Sequence, residues 1–284
     1  MKKLFYAIIS LFLFSGLVSA AGPAIYFKTD VSNLAPSSEF ELSIFLNSKE
    51  EVNVFNLEIN YPPDTLKFLG GNNSGSIVDV WQKPPTVLLD GEVSLIGGTL
   101  KPFHGENGLI VKLKFQTLKT GEVFFTLTNG KIYLANGLGT VIKAPESFYS
   151  INVTSEAPVV TLSPILDSTP PMLNAEIVTT PIEAGKILVF NSEDKESGTD
   201  YSTMRFKRWF SWSDSQQIIN PAPLPAHAWQ LEIKTVNNAG LETNETLYLW
   251  EEILKKIGLL LLVLLGMILI FRVAPMGYNK YKRK

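Results

Sequence analysis

The strongest constraint in this 284-residue chain is a two-residue alternation of apolar and polar side chains, broken at intervals by glycine, proline and asparagine. In Phe55-Asn56-Leu57-Glu58-Ile59-Asn60-Tyr61 the apolar residues fall on one side of an extended strand and the polar ones on the other, because successive strand side chains point to opposite faces. Phe40-Glu41-Leu42-Ser43-Ile44-Phe45-Leu46 repeats the pattern. A helix buries residues at a spacing of about 3.6, which neither segment has. Further candidate strands are Ala24 to Phe27, Val87 to Leu89, Val93 to Ile96, Leu109 to Phe115, Val123 to Leu127, Ile132 to Leu134 and Phe148 to Val153. Between them lie turn formers such as Tyr61-Pro62-Pro63-Asp64, Gly70-Gly71-Asn72-Asn73, Asp90-Gly91, Glu106-Asn107-Gly108 and Asn136-Gly137. The pattern predicts an all-β fold, an antiparallel jelly-roll sandwich over 22–155.

A composition shift at Thr154 to Pro158 opens a second β segment, 156–250, with strands expected near Val159-Leu162, Leu173-Val178, Lys186-Phe190, Met204-Trp209 and Trp229-Val236. Its length suits an Ig-like β-sandwich. Pro170-Pro171 and the proline-rich stretch Asn220 to Pro225 are expected in loops or at sheet edges, since proline cannot donate to a ladder.

Both ends carry a different pattern. Lys2 and Lys3 precede an uncharged run to Val18, and Val18-Ser19-Ala20-Ala21 offers the small residues of a cleavage site, so 1–21 is expected to be a signal peptide. Ile257 to Phe271 is uncharged, and a transmembrane helix is expected over 253–276, followed by a basic tail, 277–284. Arg272, Lys280, Lys282, Arg283 and Lys284 place that tail in the cytoplasm by the positive-inside rule. The expected location is the cell membrane, single-pass, with the ectodomain outside. All 27 acidic residues lie between Gly22 and Glu252 with 16 basic ones, a net charge of −11 that disfavours nucleic acid and other polyanions.

Function classes are narrowed by what is scarce. The chain has no cysteine and only His104 and His227, which removes disulfides, thiolate chemistry and the usual zinc motifs. Asn191, Glu193, Asp194, Glu196 and Asp200 crowd one loop without the spacing of a calcium loop. No metal, cofactor or catalytic residue is expected, and the chain is read as a non-enzyme.

The pieces of the first segment together resemble a cohesin domain, the jelly roll of cellulosomal scaffolds that is related to carbohydrate-binding modules. They are Ser38 to Ile44, then Val54 to Phe68 with its strand leading into Tyr61-Pro62-Pro63-Asp64-Thr65-Leu66, then Gly105 to Phe115, then Gly121 to Leu127. The resemblance implies a protein partner of the dockerin type and a link to polysaccharide catabolism. It also implies that the outward positions of one strand, Asn56, Glu58 and Asn60, meet that partner. Two residues before Asn56 stands Val54, where the family carries a polar residue. Asp194-Lys195-Glu196-Ser197-Gly198 and Trp229 to Glu242 resemble the bacterial Ig-like and fibronectin-III-like domains of surface proteins, which implies a spacer.

Two readings stay open beside a protein partner. Trp81, in a polar, proline-bounded segment, offers a stacking platform for a polysaccharide, and Trp209, Phe210 and Trp212, flanked by Arg205, Lys207 and Arg208, form a second aromatic cluster; core packing is the other use of such residues. The third possibility is a structural adhesion or envelope stalk with no specific ligand.

Overall fold

A computed structural model describes residues 22–163, 166–179 and 186–281, with side chains as far as Ile268. The expected signal peptide, 1–21, lies outside the described residues. The first module contains β1 (Ala24–Lys28), β2 (Asn33–Leu34), β3 (Glu39–Asn60), β4 (Leu66–Asn72), β5 (Val80–Leu89), β6 (Glu92–Thr117), β7 (Gly121–Leu134), β8 (Val141–Lys143) and β9 (Phe148–Val153). All pairings are antiparallel except β2 with β9.

Strands expected to be separate are joined. Phe40–Leu46 and Phe55–Tyr61 fall largely in the single 22-residue β3, and Val93–Ile96 and Leu109–Phe115 in the 26-residue β6. A straight strand of 22 residues would reach roughly 70 Å. Yet Phe40 at one end of β3 and Tyr61 just past the other both pack on Phe115, with ring centroids 5.9 and 5.1 Å away. The strand therefore doubles back, and its register against β6 shifts between Leu46 and Val54, where Ser48-Lys49-Glu50-Glu51 interrupts the apolar row. Gly105-Glu106-Asn107-Gly108, expected to be a turn, is the matching bend inside β6, with positive φ at Gly105 and Asn107. One nine-stranded sheet thus folds into two layers around a single core that includes Phe40, Leu42, Ile44, Phe55, Leu57, Ile59, Leu113, Phe115 and Phe125.

Val159–Leu162 is not a strand. It is a tether: the Glu39 N–H donates to the Val160 carbonyl at 2.8 Å, the Val160 N–H to the Ser38 hydroxyl at 3.0 Å, and Val160 packs on the first core. The neighbouring Pro158 removes a donor a ladder would need.

The second module contains β10 (Met172–Thr179), β11 (Lys186–Glu193), β12 (Thr199–Lys207), β13 (Gln216–Ile218), β14 (Ala222–Pro223), β15 (Gln230–Asn237) and β16 (Glu242–Tyr248). They form a three-stranded sheet, β10-β11-β14, and a four-stranded one, β13-β12-β15-β16. Leu188, Phe190, Met204, Leu231 and Ile233 are buried in a core of their own.

Helix α1 (Trp250–Tyr281) follows directly. Among the described residues, no helix is long and apolar enough to cross a membrane. This departs from the span expected over 253–276. The described side chains of α1 include Glu251, Glu252, Lys255 and Lys256 in its first two turns, and the uncharged stretch from Ile257 to Ile268 reaches roughly 18 Å at 1.5 Å per residue. The rest of the expected span and the basic tail, 277–284, lie outside the residues whose side chains are described.

Candidate binding face and inter-module cleft

The second half of β3 runs between β6 and β7, so its outward residues sit in the middle of a sheet face. Directly paired residues share a face, and the registers give three rows. Glu58 lies between Ser94 and Asn129, with Thr86 of β5 beyond Ser94. Asn56 lies between Ile96 and Lys131, which continue to Lys83 of β5 and Lys143 of β8. Asn60 lies between Glu92 and Thr126, which continue to Leu89 of β5 and Phe148 of β9.

Asn56 and Glu58 are half-buried and Asn60 is exposed, while Phe55, Leu57 and Ile59 between them are fully buried. The alternation that builds the core thus also fixes which three side chains look outward. The face is zoned. Lys83, Lys131 and Lys143 occupy one row, and the Lys83 amine donates to the Ser94 hydroxyl at 3.1 Å. Glu92 flanks Asn60 in another row, which ends in two exposed apolar side chains, Phe148 (69% exposed) and Leu89 (66%). Val54 sits beside Tyr133 and Gly98 at the far end of the face. Phe148, Leu89 and Lys131 were not singled out from the sequence. Their signal is the register, since each joins a row with Asn56 or Asn60 only once the strands are paired.

Trp81 lies elsewhere. Its ring packs against Gly97, where a side chain would meet Trp81 Cε3 at 3.0 Å, and against the first core. The ring is half-buried, and its indole N–H is buried without a hydrogen-bond partner. It lines a cleft of about 370 Å³ between the two modules, together with Asp79, Lys114, Tyr201, Asp200 and Gln217.

That cleft exists because two loops meet beside it. In the second module Asp194, buried, accepts the backbone N–H groups of Glu196, Ser197 and Gly198 on Oδ1 at 2.8–3.1 Å, and its Oδ2 accepts from Asn237 Nδ2 at 3.0 Å. The crowded acidic loop is thus held by Asp194 acting as its internal cap. Asn237 also donates to Asp167 at 2.8 Å and accepts from the N–H groups of Ala239 and Leu241, which ties the loop to the β15–β16 turn. The capped loop then reaches the first module: the Thr199 N–H donates to Asn73 Oδ1 at 2.7 Å, Asn73 Nδ2 donates to the Thr199 hydroxyl at 2.8 Å, and the Ser74 hydroxyl donates to the Glu196 carbonyl at 2.8 Å.

The second aromatic cluster divides. Trp212 is half-buried beneath Arg205 and Lys207, whose charged groups lie 4.7 and 4.5 Å from its ring centre. Trp209 and Phe210 are exposed.

No family model matches the chain, and no curated protein matches it. Among solved structures it is similar to a cohesin module from a family 33 glycoside hydrolase of Clostridium perfringens, with 14% identity and a TM-score of 0.41 over 47% of this chain and 98% of that one. It is also similar to a non-cellulosomal cohesin from the hyperthermophilic archaeon Archaeoglobus fulgidus, with 16% identity and a TM-score of 0.39 over 48% of this chain and 94% of that one. A third similar structure is a type I cohesin–dockerin complex from Clostridium thermocellum, with 12% identity and a TM-score of 0.40 over 49% of this chain and 99% of that one.

Proposed function

We propose that the chain is a non-catalytic binding protein whose first module, 22–155, takes a protein module of the dockerin type on the outer face of β7, β3, β6 and β5. The observation that carries this reading is the placement of Asn56, Glu58 and Asn60 at the centre of an open, four-stranded face. Such a face has the makings of an interface. Phe148 and Leu89 are apolar anchors at one end, and the amide and carboxylate groups between them set orientation through hydrogen bonds. The separated lysine and glutamate zones supply charge complementarity that favours one docking direction.

The second module, 156–250, is read as an Ig-like or fibronectin-III-like spacer, and its division into three and four strands supports that. Helix α1 is read as the membrane attachment, with the two modules outside the cell and the C-terminus inside. The support is that Leu259 to Leu265 are exposed on every side of the helix, a surface that water does not tolerate over such a length. A role in polysaccharide catabolism follows from the family resemblance.

The test is to purify the dockerin-like modules encoded in the same genome and measure their binding to the full chain. Glu58→Arg and Lys131→Glu are each expected to weaken binding at least tenfold without changing the melting temperature. A second reading, direct binding of a polysaccharide, draws on the inter-module cleft, where the Trp81 indole N–H lacks a partner beside Asp79, Tyr201 and Gln217. Retention on a polysaccharide that is lost in Trp81→Ala and kept in Glu58→Arg favours it. If neither ligand class binds, the structural stalk is the reading that stands.

A further inference from the structure

The two module ends differ in what they present. β12 runs from Thr199, which touches the first module, to Lys207, so the loop after it lies at the opposite end of the second module. That loop carries Phe210, 93% exposed, and Trp209, 57% exposed. It is held in place. The Trp229 indole N–H donates to the Trp209 carbonyl at 3.0 Å, Arg208 Nε donates to the Ala226 carbonyl at 3.2 Å, and Lys256 of α1 donates to the carbonyls of Arg208 and His227. The Lys256 ammonium also lies 5.2 Å from the Trp209 ring centre. Just before the helix, Tyr248 and Trp250 are exposed as well, with ring centroids 6.1 Å apart. Four aromatic side chains and the cations Lys207, Arg208, Lys255 and Lys256 are therefore gathered where α1 begins, together with Glu251 and with Glu252, which accepts from Lys255 at 2.6 Å.

We propose that this end of the second module seats in the headgroup layer of a lipid bilayer, with Trp209, Phe210, Tyr248 and Trp250 inserted and the lysines and arginine among the phosphates. The proposal rests on the reading of α1 as the membrane attachment. Three observations select lipid as the occupant. The patch adjoins the exposed apolar side chains of α1, which begin after Trp250 at Leu254. Its chemistry, indole and phenol rings beside ammonium and guanidinium groups, is that of side chains with an apolar body and a wet tip, which partition to the membrane interface. Its pinned backbone presents Phe210 to solvent, uncovered by the described residues of the chain. The consequence is a stalk fixed at both ends: lipid below and the loop junction above, with the binding face of the first module held clear of the bilayer.

Because the chain lacks cysteine, a single Phe210→Cys substitution gives one labelling site for an environment-sensitive fluorophore, and Leu138→Cys, at an exposed turn of the first module, gives the control. The full chain is reconstituted into vesicles of phosphatidylcholine and phosphatidylglycerol in equal parts, and flotation reports attachment independently. The expected result is flotation, a blue-shifted label at 210, and at least a halving of its emission by lipid spin-labelled near the headgroup, with no change at 138. Flotation with an unquenched label at 210 overturns the proposal and leaves the attachment reading intact. A blue shift that lipid-borne quencher does not touch assigns the patch to protein contact, which also overturns it. Failure to float contradicts the attachment reading itself.

Discussion

At the residue scale, one strand does two tasks through its alternation: Phe55, Leu57 and Ile59 build the core, and Asn56, Glu58 and Asn60 are carried outward by the same backbone. This was legible in the sequence, because period two needs no partner to be recognised. The role of Asp194 and Asn237 was not, since a crowded acidic loop reads as solvated until its acceptors are matched with N–H groups from the loop itself and from β15. Asn237→Asp sets a third carboxylate against Asp167 and Asp194 and is expected to destabilise the second module by about 3 kcal/mol or more, a deficit that shrinks as acid neutralises the cluster. Thermal unfolding across pH reads both effects. Asp167 itself is pulled from its ordinary 3.8 to about 2, first by the Ser197 hydroxyl and then by the Thr169 N–H, while Glu196, sharing a hydrogen bond with Asp167, is raised. A lowered carboxyl stabilises the fold above its ordinary value and loses that contribution as pH falls through the folded one. The Asp167 share is therefore expected to vanish between about pH 4 and 2, and Asp167→Asn should flatten that limb of the curve. The raised Glu196 works the other way, stabilising at low pH and losing its share as pH rises through its folded pKa.

At the scale of elements, the sequence placed most strands and missed how they join. Polar interruptions such as Ser48 to Glu51 look like turns locally, yet they continue as bent β3 because β6 pairs on both sides of the bend. β16 escaped notice for a different reason: Glu242–Tyr248 lies at a sheet edge, with no residue fully buried and hence no apolar row to see. The aromatic knot of Phe115 with Phe40, Tyr61, Phe68 and Phe125 ties both layers. Phe115→Ala is expected to cost about 3–5 kcal/mol, visible as loss of the first module's unfolding transition at ordinary temperature. The junction between modules hangs on Gly198, whose φ of +78° suits glycine and where an added side chain would meet Asn73 Oδ1 at 2.5 Å and the Ser74 N at 2.7 Å. Gly198→Ala should part the loops and lengthen the particle in small-angle scattering while both modules stay folded. An unchanged scattering profile would mean that the loops do not hold the modules together.

At the scale of the whole molecule, the parts form a series: the sheet face that carries Asn56, Glu58 and Asn60, a hydrogen-bonded junction, a second module of two sheets, and a helix with aromatic side chains gathered at its start. The alternation made the run of β-strands readable in advance. The cleft and the aromatic gathering were not readable, because they arise where residues distant in sequence, such as Trp81 and Tyr201 or Arg208 and Lys256, are brought together by folding. If α1 attaches the chain to the cell surface, a protease added to intact cells should release a fragment holding both modules and leave the C-terminus protected; digestion of the C-terminus first would reverse the orientation. The account rests most heavily on the outer face of β7, β3, β6 and β5. The direct measurement is the affinity of the full chain and its Glu58→Arg variant for each purified dockerin-like module of the same genome. The account predicts at least one module that binds and loses at least tenfold in affinity on Glu58→Arg at unchanged melting temperature. Absence of binding by every module, or a Glu58→Arg variant that binds as tightly as the natural chain, contradicts it.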